Sequence, residues 1–203
     1  MSEETAKRLD EIIPIVTSPS FLSSEGIGNE IACYIFDYPP EDELQVRNHL
    51  SWMLEWFWSH HSSLRILHLN LFDVVIEYLK ERGILDKALE MSQKKGDSAV
   101  LRSLKGPLAA EKIRDFIAEK HDLQDQDLIL LSGVGSVWPM LRAHSLLNTF
   151  HTVMGRVPLV MFYPGKFDGT TLRLFDRIAP TDPGPKTHHY YRAFMLVPRT
   201  TTP

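Results

Sequence analysis

The sequence predicts an α/β fold, a three-layer domain built on a mostly parallel sheet of about five strands. Three observations lead there. Apolar runs of strand length recur along the chain, helical patterns fill the intervals, and the runs are continuous instead of alternating. A strand covered on one face alternates apolar with polar residues. A continuous run marks a strand covered on both, as in a sheet sandwiched between helices.

The first run, Ile31 to Phe36, leads into a helix from Glu41 to Trp58 whose stripe is Leu50, Met53, Leu54 and Phe57. Leu64 to Leu69 reads as the second strand. Leu71, Phe72, Val75, Tyr78 and Leu79 then carry a helix that Gly83 stops, with Arg82 placed against the dipole of its last turn. From Leu85 to His121 three short helical stretches follow one another with no strand between them, punctuated at Lys94–Asp97 and Lys105–Pro107. Asp97 suits an N-cap, and Ile113, Phe116 and Ile117 give the third stretch its buried face. This is a helical insertion between strands two and three, which either caps the sheet, the favoured reading, or presents a partner surface.

Leu128 to Leu131 is the third strand, and Val137, Met140, Leu141, His144 and Leu147 mark one helix after it. Pro158 to Tyr163 and Ala193 to Val197 complete the sheet, separated by a Pro/Gly loop over Pro180–Lys186. The order implies right-handed crossovers. Residues 1–203 form one domain on this reading, with a fraying tail over 198–203.

Composition narrows the function without naming it. The 22 basic and 26 acidic residues leave a net charge of −4, so coating phosphate backbones is not the main task and strong autonomous nucleic-acid binding is not expected. A single cysteine, Cys33, forms no intramolecular disulfide and no paired zinc knuckle. No segment approaches the ~20 apolar residues of a membrane helix, and Met1 to Arg8 has no signal-peptide character, so a cytoplasmic protein is expected.

Ligands of open α/β sheets gather beyond the carboxyl ends of the strands. That rim collects Asp37, Asn70, Asp73, Ser132, Lys166 and Asp168, enough carboxylates and amides for a metal–phosphate group. The competing reading makes Asp37, Asn70 and Ser132 helix caps and turn closers, which their residue types favour. The corner Gly133-Val134-Gly135-Ser136 lacks the third glycine of a dinucleotide fingerprint, having Trp138 there, and lacks the Gly-Lys-Ser/Thr of a P-loop. Tight packing of a strand–helix corner explains its glycines.

The adjacent pairs His60-His61 and His188-His189 point to different sides, and HExxH is absent, so no catalytic zinc is expected. His144 lies on an apolar stripe and reads as a satisfied core residue. The alternative has it reach the rim with Arg142. No GxSxG elbow is present, and Cys33 sits within a strand. Trp52, Trp56 and Trp58 place aromatics on more than one side of their helix. The second side either packs under the helical insertion or forms a partner site.

Several blocks, in order, carry a resemblance: Asn70-Leu71-Phe72-Asp73, Ser132 to Pro139, Leu141 to Asn148, Phe162 to Gly169 and Tyr190 to Phe194. With Gly28-Asn29-Glu30 ahead of the first strand, the chain resembles the BrxB family, a small component of bacterial BREX phage-exclusion systems. The resemblance implies a fold similar to a nucleotide-binding domain without its phosphate loop. It also implies work beside a methyltransferase, a large ATPase and the alkaline-phosphatase-like PglZ protein. It carries over no catalytic residue, metal or cofactor. The expected function is therefore a non-catalytic adaptor that binds PglZ or another BREX component, with Tyr163, Gly165, Lys166, Asp168, Arg142 and Arg192 as contact residues. The alternative is a metal- or nucleotide-dependent phosphohydrolase using Asp37, Asp73 and Asp168. Neither reading fixes self-association.

Overall fold

Continuous apolar runs pair with one another because only a neighbouring strand satisfies their backbone polar groups inside a core. The computed structural model describes residues 2–23, 32–176 and 193–199. In it β1 (Cys33–Tyr38), β2 (Ile66–Asn70), β3 (Leu128–Ser132), β4 (Leu159–Phe167) and β6 (Ala193–Met195) run parallel in the order β2-β3-β4-β1-β6. β5 (Leu172–Leu174) returns antiparallel along the end of β4, with Lys166 opposite Arg173. The fold is thus the expected α/β class, with six strands.

Helices cover both faces. On one lie α5 (Leu71–Glu81), α8 (Ala110–Lys120), α9 (Val134–Val137) and α10 (Ala143–Met154), whose buried residues share a core with Cys33, Ile35, Ile129, Leu131, Leu159 and Met161. On the other lie α1 (Glu3–Asp10), α2 (Ile12–Val16), α3 (Pro19–Leu22) and α4 (Glu43–His60), packed on Phe36, Leu128, Leu130, Val160 and Phe162. Alternate residues of each strand therefore feed opposite cores, which is why the runs are apolar throughout.

The insertion divides as its punctuation implies, into α6 (Leu85–Lys95), α7 (Asp97–Leu104) and α8. Gly96, at φ +76°, precedes α7, and Asp97 is the first helical residue, accepting from Ser92 Oγ at 2.7 Å. Ile113, Phe116 and Ile117 are buried, so α8 caps the sheet's core, whereas α6 buries only Ala88.

The structure corrects the sequence reading at four places. The helix drawn through Val137 to Leu147 is two, α9 and α10, because Pro139 has no N–H to continue the ladder and restricts the residue before it. The loop expected after Tyr163 is strand, since β4 runs on to Phe167 and β5 pairs with it. The N-terminal helices α1 to α3 had no counterpart in the sequence reading. Finally, α4 and the insertion lie on opposite faces, so the insertion does not cover the tryptophans. Ile31, the loop over Pro180–Lys186 and the tail beyond residue 199 lie outside the described residues.

Gly165 shows how closely β4 and β5 approach. Its φ is +155°, and a Cβ there would stand 2.1 Å from the Arg173 carbonyl oxygen. Gly165→Ala should therefore lower unfolding stability by about 2 kcal/mol or more. Gly106 has nothing within 4 Å of an added Cβ and no positive φ, so Gly106→Ala should raise stability by about 0.5 kcal/mol. Urea unfolding of the two variants against the parent chain checks the pair.

Candidate functional site

The chain leaves β1 toward α4 on one face and leaves β2 and β3 toward α5 and α9 on the other. Such a reversal opens a crevice at the carboxyl ends of the strands, where α/β sheets ordinarily take ligand. Here the protein fills that crevice itself. Asp37, at the end of β1, is completely buried. Its Oδ1 accepts from Arg8 Nη2 at 2.8 Å, and its Oδ2 accepts from the Phe167 N–H and from Arg199 Nη2, both at 3.0 Å. Arg8, itself 3% exposed, also donates to the Asp37 and Val197 carbonyls and lies over the Phe36 ring at 4.8 Å. Arg199 donates to the Gly165 carbonyl at 2.8 Å.

The other rim residues have separate tasks. Asn70 caps α5, its Oδ1 accepting from the Phe72 N–H at 3.0 Å. A Cβ on Gly133, at φ +73°, would meet that same oxygen at 2.2 Å, and one on Gly135 would meet Phe175 and Pro164 at 3.0 Å. The glycines of this corner are there for packing. Ser132 Oγ shares a 2.9 Å hydrogen bond with His68 Nε2, so of the three residues read as caps only Asn70 is one. Asp73 stands exposed on the first turn of α5. Asp168 closes a turn by accepting from Thr170 Oγ1 and from the Thr170 and Thr171 N–H groups. The Thr170 hydroxyl, more than any other neighbour, holds its carboxyl below the ordinary range. Asp37, Asp73 and Asp168 form no metal cluster. Among the described residues no three His, Cys, Asp or Glu side chains are grouped to hold an ion.

The expected contact residues are distributed unevenly. Tyr163 is 3% exposed and Gly165 is buried, so both support the β4–β5 hairpin from within. Lys166 and Asp168 face solvent on that hairpin. Arg142 is exposed at the N-cap of α10, and His144, the helix's second residue, is half-buried. Arg192 lies outside the described residues, as do His188 and His189. Burial pushes the Cys33 thiol up to about 12, so no thiolate nucleophile exists at neutral pH.

Along α4, Val46, Leu50, Met53 and Phe57 are buried. Trp58 is 70% exposed and Trp52 50%, while the half-buried Trp56 stacks on His60 at 4.7 Å and 12°. Leu44, two turns earlier, is also exposed. Sequence reasoning found this helix and its excess of aromatics. It missed Arg8 and Arg199, whose partners are 29 or more residues away.

A family model described as BREX protein BrxB matches residues 67–196 of the chain. A protein named BREX protein BrxB from Bacillus cereus (strain H3081.97) is 42% identical over 193 residues, covering 94% of this chain and 96% of its own length. Another of that name, from Escherichia coli O9:H4 (strain HS), is 42% identical over 193 residues, covering 95% and 92%. No solved structure matches. No helix of the described residues is long and apolar enough to cross a membrane.

Two outcomes test the site's electrostatics. Asp37→Asn leaves two guanidinium groups around a neutral amide and should cost about 3–5 kcal/mol of stability in urea unfolding. His49 and His68 are both held below their ordinary value of 6.5, chiefly by burial, with Asp10 and the Leu9 backbone opposing this at His49 and Asp73 at His68. Below that value the unfolded chain binds more protons than the folded one, so the burial of neutral imidazoles stabilises above it and is lost on acidification. The urea midpoint should drop between about pH 7.5 and about pH 5.5, and the drop should shrink in His68→Gln and His49→Gln.

Proposed function

The chain belongs to the BrxB family, and on that premise we propose that it serves phage defence as a non-catalytic adaptor docking on the PglZ-type protein of its BREX system. Other BREX components are the remaining candidates for that partner. One observation carries the adaptor reading. The crevice where this fold would do chemistry is filled by Arg8, Asp37, Arg199 and the Phe167 N–H, while large apolar side chains stand in solvent on α4. A carboxylate engaged by two guanidinium groups and an amide has little capacity left for a metal or a phosphate.

The docking face this reading favours is the outer side of α4, which Trp52 and Trp58 flank from its two edges. Tryptophan is enriched among the side chains that dominate interface energetics, because it buries a large rigid area at low entropic cost. A second reading places the contact on the β4–β5 hairpin, where Lys166 and Asp168 are exposed, with Arg142 contributing beyond it and Arg192, outside the described residues, as a further contact. Tyr163 and Gly165 serve that hairpin as its support.

Co-purification of the chain with its PglZ-type partner separates these readings. Trp52→Ala with Trp58→Ala should lower affinity by roughly thirtyfold or more, the equivalent of about 2 kcal/mol. Lys166→Glu with Arg142→Glu should leave it nearly unchanged, and both pairs should keep the parent's circular dichroism. Loss of binding only in the second pair moves the interface to the hairpin side. No binding by the parent chain removes PglZ as the direct partner. ATP turnover that vanishes in Asp73→Ala restores the phosphohydrolase reading.

A further inference from the structure

A groove of about 470 Å3 opens between the α7–α8 loop and the start of α10, lined neither by α4 nor by the residues around Asp37. Its cationic lining residues are Arg102, Lys105 and Arg142, and no carboxylate lines it. All three side chains are exposed. Most other arginines on this surface are paired: Arg65 with Asp125 and Asp127, Arg82 with Glu119, Arg114 with Asp115. Arg102 and Lys105 take part in no salt bridge among the described residues, although the chain as a whole carries more acid than base. Arg102 and Lys105, held at one concavity without a counter-charge among the described residues, repel one another, and an anion in the groove relieves that repulsion.

Backbone polarity points the same way. Both α8 and α10 begin at the groove, which Ala110 and Ser145 line from their first turns. Neither helix has a side-chain cap, their N-cap residues being Ala109 and Arg142. Uncapped first-turn N–H groups and the positive end of the dipole favour an anion with several acceptor oxygens. The remaining wall is apolar, with Leu101 and Met140 partly open to solvent. A volume of this size falls within the roughly 300–1,000 Å3 of small-molecule sites, which pair an apolar lining with a few placed polar groups.

We propose that this groove binds a phosphate-bearing small molecule of nucleotide size, with Arg102, Lys105 and Arg142 on the phosphates and Leu101 and Met140 against the base. Arginine suits the bidentate grip on phosphate oxygens, and lysine supplies a point charge beside it. The site is separate from the docking face on α4 and does not depend on the identity of the protein partner.

Isothermal titration calorimetry of the full chain with ATP, inorganic tripolyphosphate and adenosine tests the assignment. ATP should bind most tightly, tripolyphosphate more weakly, and adenosine at least tenfold more weakly than ATP. Arg102→Glu with Lys105→Glu should lower ATP affinity by tenfold or more without moving the thermal midpoint of the free chain. Leu101→Ala should weaken ATP but not tripolyphosphate. Reversal of two exposed lysines elsewhere, Lys80→Glu with Lys87→Glu, should leave binding intact. The proposal fails if millimolar ATP gives no binding, if adenosine binds as well as ATP, or if the Arg102 and Lys105 reversal has no effect. It also fails if the Lys80 and Lys87 reversal weakens ATP equally, since that response belongs to a diffuse field.

Discussion

Asp37 is a carboxylate with no access to water, and its neutralisation holds four separate parts of the chain together. The strand that carries it is β1, Arg8 comes from α1, Arg199 from the C-terminal segment and the Phe167 N–H from the end of β4. Burying such a charge costs several kcal/mol unless its oxygens are fully engaged, and here both are. The geometry leaves little alternative for α1. Arg8 reaches Asp37 only if α1 lies across the carboxyl end of β1, and that placement carries Leu9, Ile12 and Val16 onto the apolar face of the sheet. Ion pair and hydrophobic layer thus specify the same position for the N-terminal helices, one by direction and the other by area.

The same network decides what the sheet's active end can be. In a parallel sheet the backbone N–H groups and loops at the carboxyl ends are the usual source of ligand contacts. This protein spends them internally. The Phe167 N–H goes to Asp37, the Asn70 amide side chain caps α5, and the space beside it is taken up by the approach of Gly133. Glycine at that corner is a steric requirement, because any side chain would displace the cap. What resembles a phosphate-binding turn in the sequence is a packing joint in the fold.

The strands were legible in the sequence because burial on both faces leaves an unmistakable apolar run, as in Leu128 to Leu131. The insertion was legible through Gly96, which takes a positive φ between α6 and α7, and through Gly106-Pro107, a pair that disfavours continued helix. Other elements were not. α1 to α3 are only eight, five and four residues long, and Pro14 and Pro19 interrupt the period, so no window long enough to show a stripe exists. β5 has only three residues and depends on the β4 edge to form at all. Pro139 was visible, but the stripe of Met140, Leu141 and Leu147 happens to continue across the break and masks it. For the site, residue type alone placed Asn70 correctly as a cap. It misread Asp37, since a buried ion pair is defined by residues distant in sequence, and it set Tyr163 on the surface when aromatic bulk at that strand position fills the core. The cationic groove is invisible for the same reason, its charges coming from α7, a loop and the start of α10.

A sheet whose ligand crevice is closed must exchange with its surroundings through its covering layers, and these two layers differ in chemistry. The layer with α4 offers rigid aromatic area from Trp52 and Trp58, suited to association with a protein surface. The layer with α7, α8 and α10 offers a concave apolar wall with Arg102 and Lys105 outside any salt bridge among the described residues, and two helix ends without side-chain caps, a combination suited to a small anion. They stand on opposite faces of the sheet, so a partner seated on Trp52 and Trp58 leaves the groove open. Between them the strands are packed from both sides, with Ile129, Leu130, Leu131, Val160 and Met161 all at zero exposure. A change on one face reaches the other only through that packed layer, which favours two surfaces occupied independently over one surface contested by both ligands.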